Sequence, residues 1–182
     1  MPFVVAALIL LAAVTLLNLV LTTAVIRRLR ERETDNATHG MGALELDAGI
    51  PAGEPIPSFE TTATDGTAVT GTEAANKRML FAFFSVDCKA CWPKVPALVT
   101  YVRRLGLGTD QVVSAVIGNG VPAGNAMAQL ESVGRVVLEP TGGPVSSALE
   151  VRGYPSFVLV GEGGAVEAYT FSLTDMPQSV SL

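Results

Sequence analysis

Metal ligands are scarce in this chain: its 182 residues hold two cysteines, Cys88 and Cys91, and one histidine, His39. Structural zinc sites take four ligands, and past residue 54 there is no histidine and no third cysteine. Zinc would need a second copy of the chain or several carboxylates. Positive charge is scarce as well, with 12 Lys and Arg against 17 Asp and Glu and a net charge of −5. Beyond Arg27–Arg32 there is no basic cluster and no stripe of aromatic and basic residues, so the electrostatic footprint of nucleic-acid binding is missing. No flavin or nicotinamide motif, internal repeat or low-complexity segment occurs. The length leaves room for one compact domain with an appendage, not for a two-domain enzyme.

One long apolar run is present. Phe3 to Ile26 contains no charged residue, and at about 1.5 Å per residue a helix over it spans roughly 36 Å, enough to cross a bilayer core. The expected element is a transmembrane helix, with the lipid bilayer around residues 3–26. Asn18 reads as a tolerated polar residue in a simple anchor rather than as the glue of a helix pair. A cleaved secretory signal would start basic and end in a small-residue site. Here Met1 and Pro2 lead straight into the apolar run, and no cysteine lies nearby for a lipid anchor. Arg27, Arg28, Arg30 and Arg32 come after the run and nothing basic precedes it, so the positive-inside rule places the carboxyl-terminal domain in the cytoplasm. Glu33 to Glu54 mixes Thr, Asn, Gly, Ala, Asp and Pro without periodicity, as a flexible tether does. The expected organisation is an anchor with its Arg-rich flank at 1–32, a tether at 33–54 and a folded domain at 55–182.

From Pro55 the chain breaks into short apolar runs separated by turn signals. Ser58–Ala63 and Ala68–Thr70 flank Asp65-Gly66, which supplies the positive φ of a tight hairpin turn. Met79–Phe84 and Val112–Ile117 are continuous apolar runs, as strands buried on both faces require. Between them, Val95, Leu98, Val99, Val102 and Leu105 recur at helical spacing, in a helix expected from Cys88 to Leu105. Ala123–Ser132 reads as a helix, Val136–Leu138 as a short strand and Val145–Val151 as a short helix. Ser156–Val160 and Ala165–Phe171 form a hairpin across Gly161–Gly164, and Ser172–Leu182 is a weak helix at best. Alternating strands and helices predict an α/β fold.

Cys88-Lys89-Ala90-Cys91 falls where the Met79–Phe84 strand gives way to the helix. The spacing alone says little; its place at that junction gives it meaning. Residues three apart on a helix share a face, so the two sulfurs can close a disulfide without a change of fold. Cys88, at the helix start, meets unpaired backbone N–H groups and the positive end of the macrodipole, which favour a thiolate. That makes Cys88 the nucleophile and Cys91, one turn in, the resolving thiol. Lys89 and Lys94 add positive charge that Asp87 opposes, and both lysines suit a plain solvated helix surface. A purely structural disulfide is the rival reading, yet so short a loop constrains the unfolded chain little.

Four features in order resemble the thioredoxin superfamily, and within it the membrane-anchored TlpA/redoxin branch. They are Pro57-Ser58-Phe59 with Asp65-Gly66-Thr67, the run Phe83-Phe84-Ser85-Val86-Asp87-Cys88-Lys89-Ala90-Cys91, Pro96, and Gly153-Tyr154-Pro155-Ser156-Phe157. They cover nearly all of Pro55 to Phe171. The apolar anchor, Met41-Gly42-Ala43-Leu44 and the entry motif at 57–67 are similar to the methylamine-utilisation accessory family of that branch. The resemblance implies a thioredoxin-like fold, a central mixed sheet flanked by helices, carried on an N-terminal transmembrane helix. It implies that Pro96 kinks the active-site helix, that Pro155 is cis and packs against the cysteines, and that Tyr154 offers its backbone to a substrate strand. Three departures stand out. Ala82 occupies the position where thioredoxin has a buried carboxylate, Lys94 the position where several TlpA-branch reductases have a glutamate, and the closing helix is curtailed.

The expected function is thiol–disulfide exchange with client proteins, with no cofactor beyond the Cys88–Cys91 pair and no metal. Electrons would pass to or from a membrane-embedded carrier protein. Members of the branch mostly act outside the cytoplasm, against the arginine flank, and the domain is expected on the outer face of the cell membrane. Two rival readings remain. Ser85, three residues before Cys88, stands where peroxiredoxins place a hydroxyl, although the proline of that motif is absent. The scaffold could also serve as a non-catalytic assembly module.

Overall fold

The computed structural model describes Thr15 and residues 49–120, 122 and 124–179. Apart from Thr15, the 3–26 run, its arginine flank and the Met41–Leu44 motif lie outside the described residues. Among the described residues no helix is long and apolar enough to cross a membrane. The strands and helices described below belong to one compact unit, Glu45–Leu182.

An antiparallel hairpin comes first, β1 (Glu60–Thr62) and β2 (Ala68–Thr70). Its turn uses Gly66 at φ 84°, and the Asp65 carboxylate accepts the Thr67 N–H at 2.9 Å, the local bond that makes aspartate a turn former. Five further strands, β3 (Met79–Ser85), β4 (Val112–Ile117), β5 (Arg135–Glu139), β6 (Ser156–Val160) and β7 (Val166–Thr170), make one mixed sheet in the order β5-β4-β3-β6-β7. β5, β4 and β3 are parallel, while β6 and β7 run antiparallel to their neighbours.

Parallel neighbours need crossovers, supplied here by α1 (Val95–Leu105) and α2 (Ala126–Glu131). Both pack on one face, where Leu80, Ala82 and Phe84 of β3 meet Cys91, Leu98, Val102 and Leu130. Alternate residues of β3 point the other way. Met79, Phe81 and Phe83 meet Val69 of the hairpin and Val145 and Leu149 around α3 (Pro144–Ala148). The sheet is therefore covered on both sides, which is why β3 and β4 lack polar alternation.

α1 ends at Gly106, whose φ of 67° lets its N–H reach back to Val102 and Arg103 carbonyls. Two expected helices are shorter than their sequence patterns. α2 covers Ala126–Glu131 instead of 123–132, and α3 stops at Ala148, with Glu150 soon after at φ 50°. No helix forms over 172–179; that segment instead buries Met176, and the Pro177 carbonyl accepts the Tyr101 hydroxyl at 2.8 Å. Packed structure also begins before Pro55: Ile50 is buried, and Gly53 and Glu54 exchange backbone bonds with Val166.

Arg135, at the start of β5, grips Glu73 with two bonds of 3.1 and 2.8 Å and also donates to the Ala68 and Asp110 carbonyls. Partial burial alone would raise the Glu73 carboxyl; Arg135, the Thr70 amide and Lys77 outweigh it and hold it below its ordinary 4.5. A depressed folded-state value means the contribution is complete above about pH 4.5 and is lost as pH falls through the folded value. We expect Glu73→Gln to cost about 1 kcal/mol at pH 7 and to show a smaller deficit at pH 3 in denaturant unfolding. An equal deficit at both pH values would refute the electrostatic account.

Candidate active site

Between β3 and α1 the chain advances by turns closed three residues apart. Cys88 N–H bonds to Ser85 O (3.1 Å), Cys91 N–H to Cys88 O (3.1 Å) and Lys94 N–H to Cys91 O (2.9 Å). Val95 N–H then reaches Trp92 O, and the α-helix takes over at Val95. This corrects the expected helix from Cys88 with Pro96 in its middle. Pro93 and Pro96 have no N–H to donate four residues back, so the segment through Trp92–Lys94 winds as a tighter 3₁₀ turn. Pro96 becomes the second residue of α1, where a missing donor is tolerated.

A disulfide joins Cys88 to Cys91, with their Cα atoms 5.4 Å apart. The two sulfurs are not equivalent. Cys91 is fully buried in the α1 face of the sheet, whereas Cys88 is half-buried at its rim. Asp87, Lys89 and Lys94 are exposed around them, and the Asp87 N–H donates to Ser85 Oγ at 3.3 Å.

Across from the cysteines lies the turn into β6. The Tyr154–Pro155 peptide is cis, and the Tyr154 carbonyl oxygen is 3.8 Å from Cys88 Sγ. The structure thus brings Cys88, Cys91 and Tyr154 together at the rim, with Pro155 half-buried next in the chain and Pro96 exposed a helical turn beyond Trp92. Burial pushes the Tyr154 hydroxyl above its usual 10, and the Glu139 charge adds to that. Gly153 lets the Phe171 ring close on the turn, since a Cβ there would lie 3.1 Å from the ring. An open cleft of about 510 Å³ beside Tyr154 is lined by Ser146, Ser147, Glu150 and Arg152 among others.

Sequence reasoning missed two supports of this arrangement. Buried Glu139 accepts the Val145 and Ser146 amides at 3.0 and 2.8 Å, fixing the first turn of α3 ahead of the proline turn. Its signal is an acidic residue closing an apolar strand just before Gly-Gly-Pro. Trp92 stacks on Phe84, centroids 6.1 Å apart, and its signal was being the one tryptophan, adjacent to Cys91. Among the described residues no group of three or more His, Cys, Asp or Glu could hold a metal ion.

A mixed sheet that feeds a half-exposed and a buried cysteine into a helix, opposite a cis-proline turn, defines the thioredoxin-like fold. The redoxin family model matches residues 51–178, and the chain belongs to that family. Solved structures agree on the fold. A thiol:disulfide interchange protein of the thioredoxin family from Chlorobium tepidum TLS is 17% identical with TM-score 0.52, covering 69% of this chain and 89% of its own. One from Bacteroides sp. is 20% identical with TM-score 0.52, covering 66% and 81%. The thioredoxin domain of a thiol-disulfide oxidoreductase from Bacteroides vulgatus is 19% identical with TM-score 0.50, covering 66% and 88%. No curated protein matches the chain.

Proposed function

We propose that this protein is a thiol–disulfide oxidoreductase, anchored by Phe3–Ile26, that exchanges disulfides with client proteins through Cys88 and Cys91. The reading is carried by the unequal burial of the two bonded sulfurs. Reduced Cys88 is open to a client disulfide; Cys91 waits in the core to attack the mixed disulfide and release the client. In the opposite direction the Cys88–Cys91 disulfide oxidises a client dithiol. The Tyr154 backbone at the rim offers a docking edge for an extended client segment, Pro155 packs beside the cysteines, and Pro96 sets the start of α1.

A membrane-embedded electron carrier resets the pair. The domain works on the outer face, in keeping with the TlpA-like branch that the sequence resembles and despite the arginine flank. Protease accessibility in intact cells tests that placement.

The central claim is tested by equilibrating the detergent-solubilised protein in glutathione and dithiothreitol buffers and counting free thiols by mass. Both cysteines should interconvert as one two-electron couple, within the range of about −270 to −120 mV that exchange proteins span. A pair that stays oxidised in excess dithiothreitol, or never re-forms its bond, sinks the reading.

A further inference from the structure

Among the described residues, and tyrosine aside, four polar or charged residues are buried: Ser114, Glu139, Ser146 and Ser156. Glu139 accepts the Val145 and Ser146 amides, Ser146 Oγ donates to Gly143 O, and Ser156 Oγ donates to Gly153 O. Ser114 is fully buried, and its hydroxyl has no hydrogen-bond partner. Such a group costs about 1–3 kcal/mol, and an apolar residue would avoid that cost.

Its position suggests what the hydroxyl is for. Ser114 on β4 pairs with Ala82 on β3 in parallel register, and paired side chains leave a sheet on the same face. Its alternate neighbours Val112 and Val116 pack in the cluster that holds Ala82 and Cys91. The other three buried polar residues belong to the opposite face: Ser156 pairs with Phe83 and Glu139 with Ile117, both in the other cluster, and Ser146 lies on α3 between Val145 and Leu149 of that cluster. Among the described residues, two buried side chains on the face where Cys91 is buried carry a hydroxyl, Tyr101 and Ser114; that of Tyr101 donates to the Pro177 carbonyl, and that of Ser114 is uncommitted. Ala82, one strand over, presents only a methyl group and so offers the hydroxyl no partner.

We propose that Ser114 stabilises the Cys91 thiolate formed during exchange, its hydroxyl being the uncommitted buried donor on the face that encloses that sulfur. The inference rests on the exchange function proposed for the pair. In the resolving step the Cys91 thiol gives its proton to water, and the thiolate attacks Cys88 Sγ of the mixed disulfide. The Cys88–client bond breaks, and the client sulfur leaves as a thiolate that takes a proton from water. One S–S bond forms as one breaks, and the client disulfide has gained two electrons. Ser114 stays a neutral hydroxyl throughout.

The other groups that bear on Cys91 are Tyr101 within the cluster, Cys88 and Tyr154 packed against it, and the exposed Asp87, Lys89, Lys94, Arg103, Arg104 and Glu131 around it. Burial holds both tyrosines above 10, so neither titrates between pH 5 and 9.

The test is stopped-flow reaction of the reduced full chain with 5,5′-dithiobis(2-nitrobenzoate) across that range. Attack by Cys88 releases one thionitrobenzoate in a reagent-dependent phase, and resolution by Cys91 releases a second in a reagent-independent phase. Ser114→Ala should slow the second phase about tenfold at pH 7 and move its pH midpoint up about one unit, the equivalent of that fold-change. The first phase should be unchanged, and Ser114→Thr should recover most of the rate. Ser114→Ala removes an unpartnered hydroxyl from an apolar layer, so its melting temperature should not fall. A second phase equal to the parent's at every pH, or equal slowing of both phases, overturns this inference and leaves exchange standing. A parent that never releases the second equivalent overturns the exchange reading and this inference with it.

Discussion

Cys88→Ser is expected to bring disulfide exchange down to the uncatalysed background, while Cys91→Ser keeps the first attack and loses the release. The asymmetry arises from burial. A client sulfur can reach half-buried Cys88 beside the Tyr154 carbonyl but not Cys91, which is fully enclosed. Thiolate is the reactive form, and a serine hydroxyl supplies no comparable nucleophile at neutral pH. Cys91→Ser should therefore accumulate covalent adducts with client proteins, visible on non-reducing gels and dissolved by dithiothreitol, where Cys88→Ser yields none. Adducts formed equally by both variants would mean that either sulfur is accessible. Adducts formed only by Cys88→Ser would reverse the assigned roles.

Much of the sheet was legible in the sequence because its strands are short, apolar and bounded by turn residues. Val112–Ile117 matches β4 end to end, and Asp65-Gly66 marks the first hairpin. The order of the strands was not legible, since it rests on pairings such as Leu80 with Leu159, far apart in the chain. α1 starts later than the expected Cys88, although the signal for its start stands in the sequence. Period-3.6 apolar spacing begins at Val95, and Pro93 before it and Pro96 just after it remove two donors that a helix from Cys88 would need. At the site, the cysteine pair and the Tyr154–Pro155 turn could be read from motifs. Ser114 could not, because one serine within an apolar strand looks the same whether its hydroxyl is bonded or orphaned. Glu139 was hidden in the same way: its two amide partners are fixed by how α3 folds back, not by spacing.

Phe84→Ala should cost about 3–5 kcal/mol, the usual toll of emptying an aromatic site in a packed core. Against a total of about 5–15 kcal/mol for a domain, that removes a large share of the stability. Phe84 is fully buried on β3 and meets Phe157 edge-on at 6.0 Å and Trp92 in a stack at 6.1 Å. The cavity would open within the cluster that encloses Cys91. Phe171→Ala is the control, at 41% exposure and on the rim, and should cost under about 1 kcal/mol. Urea unfolding monitored by the single tryptophan reads both variants, with a lower midpoint and unchanged slope expected for Phe84→Ala. The same variant separates two ways of holding the site. If packing positions Cys91, exchange should slow well below the denaturation midpoint, where the protein is still folded. If exchange is untouched while stability falls, the backbone bonds from Cys88 to Ser85 and from Cys91 to Cys88 fix the sulfurs, and the aromatic cluster serves stability alone.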